Sequence, residues 1–267
     1  MIIIVESGAT KTDWCAISEN GNIRTLRTEG MNLSIMASDK VGELTNKAVY
    51  ALNVDHESVS EMHFYAAGQI DSRSNGSVEY ASDLLGAARS VCGHNPGIAV
   101  ILGTGSNSCF YDGENIVKNV RSGGFILGDE GSAANLGKLF VADFLKGLVP
   151  EDIAQEFQKE FTVDYPTVVR NVYRGETPSR YLGDFAPWII KEYGKNDYIT
   201  DLVDNNFRSF FKRVLLQYDV DNYSVGVVGG FAVACKEMIE KISVEFGIRI
   251  SSIVESPMDG LIAYHRK

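Results

Sequence analysis

Apolar and polar positions along the chain change period repeatedly, and each change marks an element. Ile2–Val5 is an unbroken, mostly β-branched apolar run that stops at the polar segment 7–12, Ser-Gly-Ala-Thr-Lys-Thr, which reads as a buried strand ending in a loop. Residues 13–18 read as a second strand, Asn20-Gly21 as a hairpin turn and 22–28 as a third strand. After a loop over 30–35, Ser38 is placed to cap a helix to about Leu52, with Val41, Leu44, Ala48, Val49 and Leu52 on one face. Residues 63–67 predict a buried strand ending at Gly68, 69–77 a loop, 78–81 a short strand, and Ser82 the cap of a helix reaching Val91.

The pattern then repeats. Ile98–Leu102 is fully apolar and ends in Gly-Thr-Gly-Ser-Asn-Ser (103–108); a strand resumes over 108–111, with Asp112-Gly113 as the next hairpin turn. From Ser132 to about Tyr218 a helical period prevails, broken near Pro150, Pro166 and the segment 174–184. Residues 223–228 predict a strand ending at Gly229-Gly230, 232–246 a single helix, 248–255 a strand and 258–265 a last helix. Alternating strands and helices argue an α/β protein. The echo of the first three strands in 98–113 implies two similar cores, 1–95 and 96–255, with the last helix, 256–267, returning to the first.

Composition narrows the function classes. The 267 residues are 45% hydrophobic and 22% charged, which is ordinary for a folded chain. Asp plus Glu outnumber Lys plus Arg by 35 to 25. A net charge of −10 argues against a broad nucleic-acid or anionic-membrane footprint, so any phosphate is expected to be held locally. Cys15, Cys92, Cys109 and Cys235 are far apart, with no CxxC or Cys/His spacing, and predict reduced, packed thiols. With neither a basic leader nor an apolar run of membrane-spanning length, the sequence is expected to be cytoplasmic.

Five segments carry candidate chemistry. In Glu6-Ser7-Gly8-Ala9-Thr10-Lys11-Thr12, small residues would let backbone N–H groups and hydroxyls approach a phosphate, while Glu6 could hold magnesium through water. Asp13 is a second acid that could do so. In Gly103-Thr104-Gly105-Ser106-Asn107, two glycines permit close backbone approach and three polar side chains supply donors for a phosphate or a polyol. The run 123–133, Gly-Gly-Phe-Ile-Leu-Gly-Asp-Glu-Gly-Ser-Ala, places Asp129 and Glu130 before a helix. Asp83 stands where a strand gives way to a helix, as a general base aimed at a hydroxyl would. Gly229-Gly230-Phe231-Ala232 is a strand-to-helix turn able to lie against a flat ring. Taken singly, each also reads as a plain turn or helix cap.

Together their order and spacing resemble the sugar kinase, heat-shock ATPase and actin superfamily, and more closely the BadF/BadG/BcrA/BcrD-type ATPase family and its N-acetylglucosamine kinase branch. GTGSN, followed about two dozen residues later by GDEGS, is the specific part. The resemblance implies two ribonuclease-H-like domains closing on an interdomain ATP cleft, and an ATP- and magnesium-dependent kinase acting on the 6-hydroxyl of an amino sugar. It implies phosphate contacts from Ser7, Gly8, Ala9, Thr10, Lys11, Thr12, Gly103, Thr104 and Gly105, and nucleoside contacts from Gly229, Gly230 and Phe231. It assigns sugar contacts to Asn32, Ser106, Asn107, Asp129 and Ala133, the base to Asp83 and the magnesium side to Glu6. The oligomeric state is left open by the sequence, with a homodimer as one alternative.

Two departures stand out: the first loop usually begins with Asp rather than Glu6, and a helix usually present before the Asp83 strand is replaced by 69–77. The alternatives are an activator ATPase of 2-hydroxyacyl-CoA dehydratases, which needs cluster-bridging cysteines, and a non-catalytic sugar or nucleotide sensor.

Overall fold

The computed structural model describes residues 1–8, 11–31, 36–53, 56–68 and 73–266. The chain divides into two compact units. One comprises Met1–Ala99, Tyr111–Val117 and Ser256–Lys267; the other comprises Val100–Phe110 and Lys118–Glu255.

The first sheet runs β3 (Ile23–Glu29), β2 (Lys11–Ile17), β1 (Ile2–Ser7), β4 (Glu61–Ala66), β6 (Val78–Ser82), β5 (Arg73–Asn75). β1 to β3 form an antiparallel meander whose hairpin turns at Gly21, with φ +83°, while β1, β4 and β6 are parallel. Ile3, Ile4 and Val5 are all buried, as expected of a strand covered on both faces. β3 carries Arg24, Arg27 and Glu29, charges suited to an edge strand. Helix α1 (Ser38–Leu52) contributes Ala48 and Leu52 to a core built on Ile3, Val5, Trp14, Met31, Met62 and Phe64. Helix α2 (Asp83–Cys92) packs with the last helix, α12 (Met258–His265); Gly260 permits this, because a Cβ there would stand 2.3 Å from the Ser90 carbonyl oxygen.

The second sheet has the order β11 (Ile250–Val254), β10 (Val225–Val228), β7 (Gly97–Leu102), β8 (Ser106–Tyr111), β9 (Ile116–Lys118). Read from β9, it reproduces the succession of the first sheet from β3. Its unit also holds α3 (Gly124–Leu127), α4 (Ala133–Leu145), α5 (Glu151–Glu160), α6 (Tyr165–Tyr173), α7 (Pro178–Gly183), α8 (Ala186–Lys191), α9 (Asp197–Arg213), α10 (Gly230–Ala234) and α11 (Lys236–Glu245). Phe140, Phe157, Phe185 and Trp188 interlock by edge and tilted contacts into the core of the helical part. Among the described residues no helix is long and apolar enough to cross a membrane.

Several expectations are corrected. Ser38 does not cap α1: Ala37 is the extended N-cap residue, so the Ser38 hydroxyl stands one position too late. The expected loop over 69–77 contains a strand: β5 folds back on β6 through Gly76, with φ +64°. The helix expected over 232–246 is interrupted at buried Cys235, whose φ −106° and ψ +18° separate α10 from α11. Strand β8 begins at Ser106, so the turn before it is only Gly103–Gly105, closed by a 2.9 Å bond from the Gly103 N–H to the Gly105 carbonyl. The segment 174–184 holds α7, with Pro178 in its first turn, where a missing N–H costs nothing.

Candidate active site

In the first unit, acidic and hydroxyl side chains collect at the end of the sheet where β1 and β6 finish and β2 begins. Strand register sets Glu6 opposite Asp13 and Ser7 opposite Thr12, and Asp83 follows directly on β6 as the first residue of α2. Ser82 caps α2 by accepting from the Leu85 N–H at 3.1 Å, and the Leu84 N–H donates to Asp83 Oδ1 at 2.8 Å. Burial raises the Asp83 carboxyl above its ordinary range against that bond. Glu6 is pushed up to about 7 by burial and by the negative charges of Asp13 and Asp83.

Asp13 behaves oppositely. Burial would raise it, but Arg27 binds it through Nε and Nη2, at 2.5 and 3.2 Å, and Lys11 lies 3.4 Å away, holding the carboxyl below its usual value. Asp13 is thus neutralised by protein cations. Glu6 and Asp83 leave acidity at this end of the sheet that a cation would offset. Among the described residues no group of three or more His, Cys, Asp or Glu is arranged to hold a metal. Glu6 and Asp83 are oxygen donors of the kind that magnesium takes, directly or through water.

The first loop is partly committed to the fold. Ser7 and Thr12 are fully buried; their hydroxyls meet at 2.8 Å, Ser7 donates to the Met31 carbonyl at 2.7 Å, and the Met31 N–H lies 3.1 and 3.2 Å from the two oxygens. These hydroxyls anchor the chain at Met31, next to Asn32, instead of projecting toward a ligand. The turn closes through the Gly8 N–H on the Lys11 carbonyl, at 3.0 Å. Ala9, Thr10 and Asn32 lie outside the described residues.

In the second unit, three of the sequence motifs meet. The first N–H groups of α4 are spent on the glycine turn: Ala133 donates to the Gly103 carbonyl and Ala134 to that of Thr104, each at 3.0 Å. Asp129 is in the left-handed region with φ +56°, and the Ser106 N–H and the Ser122 side chain favour its charged form. Its carboxyl is raised, chiefly by burial, and its Oδ2 stands 3.0 Å from where a Cβ on Gly105 would be. Asn107 turns its side-chain oxygen to the Ser108 N–H and the Asn119 amide, at 2.9 and 3.0 Å. The Gly229 turn abuts the end of β7, where a Cβ would sit 2.1 Å from the Leu102 carbonyl oxygen. Phe231 is half-buried and stacks on Phe207 at 6.0 Å between ring centroids.

Gly103 differs from these tightly packed glycines. No atom lies within 4 Å of a Cβ built on it and its φ is not positive. Neither packing nor backbone strain demands glycine there, and the open space suits a group approaching the backbone, as a phosphate would. Sequence reasoning missed Arg27, although a hairpin centred on Asn20 pairs residue 13 with 27. It also missed Arg213, whose Nε lies 3.0 Å from Glu130 Oε1 across 83 residues of sequence, the difference between 213 and 130; no local signal announces that contact.

No protein-family model and no curated protein matches the chain. Solved structures do. A protein of Porphyromonas gingivalis provisionally named N-acetylglucosamine kinase is 35% identical, with 99% of this chain and 98% of that one covered at a TM-score of 0.88. A protein of Chromobacterium violaceum with the same provisional name is 17% identical, covered to 99% and 98%, at 0.79. A ROK-family glucokinase of Streptomyces griseus, crystallised with glucose and AMPPNP, is 15% identical, covered to 98% and 97%, at 0.59, and shares the fold. The near-complete coverage at 35% identity, on a fold with both glycine turns in place, makes the chain a member of the ATP-dependent carbohydrate kinases built on the actin-like ATPase fold.

Proposed function

We propose that this kinase transfers the γ-phosphoryl group of ATP to the 6-hydroxyl of an amino sugar such as N-acetylglucosamine, with Asp83 as the general base. The observation that carries the reading is Asp83 itself: a carboxyl raised by burial, fixed at the start of a capped helix beside Glu6. A raised carboxyl is a better proton acceptor than a surface aspartate. The 6-hydroxyl proton passes to Asp83 as that oxygen bonds to the γ-phosphorus, the bond to the bridging oxygen breaks, and ADP leaves. Backbone N–H groups of the Gly8 and Gly103 turns hold phosphate oxygens. Gly229, Gly230 and Phe231 border the nucleoside, and Asp129, Ser106 and Asn107 with Asn32 take the sugar hydroxyls. Magnesium supplies neutralisation of phosphate charge when bound with the nucleotide, and Glu6 is the acid on its side.

The activator reading gains no support from the cysteines. Cys15, Cys109 and Cys235 are buried, and burial pushes the thiols of Cys15 and Cys92 up to about 11 and that of Cys235 to about 12. Such thiols are poor sources of the thiolate a bridging cluster requires.

The test is a coupled ADP-release assay with magnesium and a panel of N-acetylglucosamine, glucosamine, N-acetylmannosamine, glucose and no sugar. Sugar-dependent release is expected, and Asp83→Asn is expected to lower kcat about 100-fold or more. Release that ignores the sugar, or that survives the substitution, refutes the assignment.

A further inference from the structure

The turn carrying Asp129 is shaped from outside its own sequence. Residues 129–132 close through the Ser132 N–H on the Asp129 carbonyl, at 3.1 Å, with both Asp129 and Gly131 at positive φ. Such a turn has few local means of holding one conformation. Helix α9 supplies them. Asn206 is fully buried; its Oδ1 accepts from the Gly131 N–H at 3.1 Å and from the Asn135 amide at 2.7 Å, and its Nδ2 donates to the Ser132 carbonyl at 3.3 Å. One turn further along the helix, Phe210 closes the space beside Gly131, where a Cβ would stand 2.8 Å from the Phe210 Cβ. At the helix end, Arg213 pairs with Glu130.

Two hydrogen bonds from one buried amide to a single turn, with a third to the Asn135 side chain in α4, exceed what packing α9 on α4 requires. An apolar side chain would pack there equally well if the turn needed no fixed shape. The Asp129 side chain of this turn stands against the glycine turn, with both carboxylate oxygens within 3.6 Å of where a Cβ on Gly105 would be. We propose that Asn206 is the positioning residue for Asp129: by fixing the backbone at 131 and 132 it sets where the Asp129 carboxylate stands, and so sets sugar recognition without touching the sugar. The inference rests on the sugar-side reading of Asp129 above. Its immediate neighbour Phe207 faces Phe231 of the other turn, so a disturbance confined to the amide is expected to spare the nucleotide side.

The experiment is a double-mutant cycle of Asn206→Ala and Asp129→Asn, assayed at saturating ATP with the sugar that the panel turns over best, and again with ATP varied. Asn206→Ala is expected to lower kcat/KM for the sugar about tenfold, to leave the KM for ATP within twofold, and to change little in the Asp129→Asn background. Asn206→Asp keeps both acceptor contacts and is expected to recover part of the loss. It replaces the alanine variant in the cycle if that variant does not fold. An unchanged sugar kcat/KM in folded Asn206→Ala, beside a strong Asp129→Asn effect, overturns the role of Asn206 alone. Additive effects of the two substitutions, or equal losses toward sugar and ATP, do the same. A null effect of Asp129→Asn overturns the sugar-side reading itself and the proposal with it.

Discussion

Glu6 offers the sharpest physical test, because burial and the charges of Asp13 and Asp83 raise its carboxyl against the opposing pull of Lys11 and Arg27. Replacing it by Gln keeps the shape and removes the titration. The folded chain holds the Glu6 proton up to about pH 7, whereas the unfolded chain releases it near 4.5. Between these values the folded state binds more protons, so stability falls as pH rises through this window. The displacement of 2.5 units, 7 less 4.5, corresponds to about 3 kcal/mol as an upper bound.

Glu6→Gln is therefore expected to gain about 2–3 kcal/mol relative to wild type between pH 4 and pH 8.5, or roughly 5–10 °C in Tm for a chain of this size. The assay is thermal unfolding of both proteins across that range in chelator, followed by addition of magnesium and ATP. At pH 8.5 wild type is expected to recover more than the variant, since a cation near Glu6 removes the penalty that the variant never had. A Tm difference that is flat with pH, or that grows toward acid, refutes the account of Glu6 as a carboxylate destabilised by burial and by Asp13 and Asp83.

Two further outcomes follow from packing and charge. Gly229→Ala forces a Cβ to 2.1 Å from the Leu102 carbonyl at a φ of +140°; it is expected to cost about 3 kcal/mol in denaturant unfolding, and a neutral effect would show that the close approach is not real. His265 is pushed down to about 3 by burial, with His63 stacked at 3.8 Å and Arg89 opposing its charge further. The unfolded chain protonates it first, so stability is lost as pH falls from about 6.5 toward 3. His265→Gln should flatten that slope in urea melts between pH 7 and pH 4, and an unchanged slope would remove His265 from the account.

Much was determined by the sequence alone, because it was local. A β-branched run ending in small residues can only be a strand meeting a tight turn, and Asn20-Gly21 sets a hairpin register that brings Asp13 opposite Arg27. The same holds for Ser82 as the cap that presents Asp83, while GTGSN followed by GDEGS carries the family resemblance that implied the kinase fold. Charge environments and distant anchors were decided only in three dimensions. Nothing near Glu6 in sequence says that its carboxyl is raised while Asp13, seven residues on, is lowered. That contrast depends on where the Arg27 and Lys11 side chains reach and on how much water each carboxylate keeps. Nor could residues 7 and 12 be recognised as anchors of Met31, or residue 206 as the support of the turn at 131, until the strands paired and α9 lay against that turn. Hydrogen bonds between groups far apart in the chain leave no period to read, since the backbone between them is free to take any path that closes the contact.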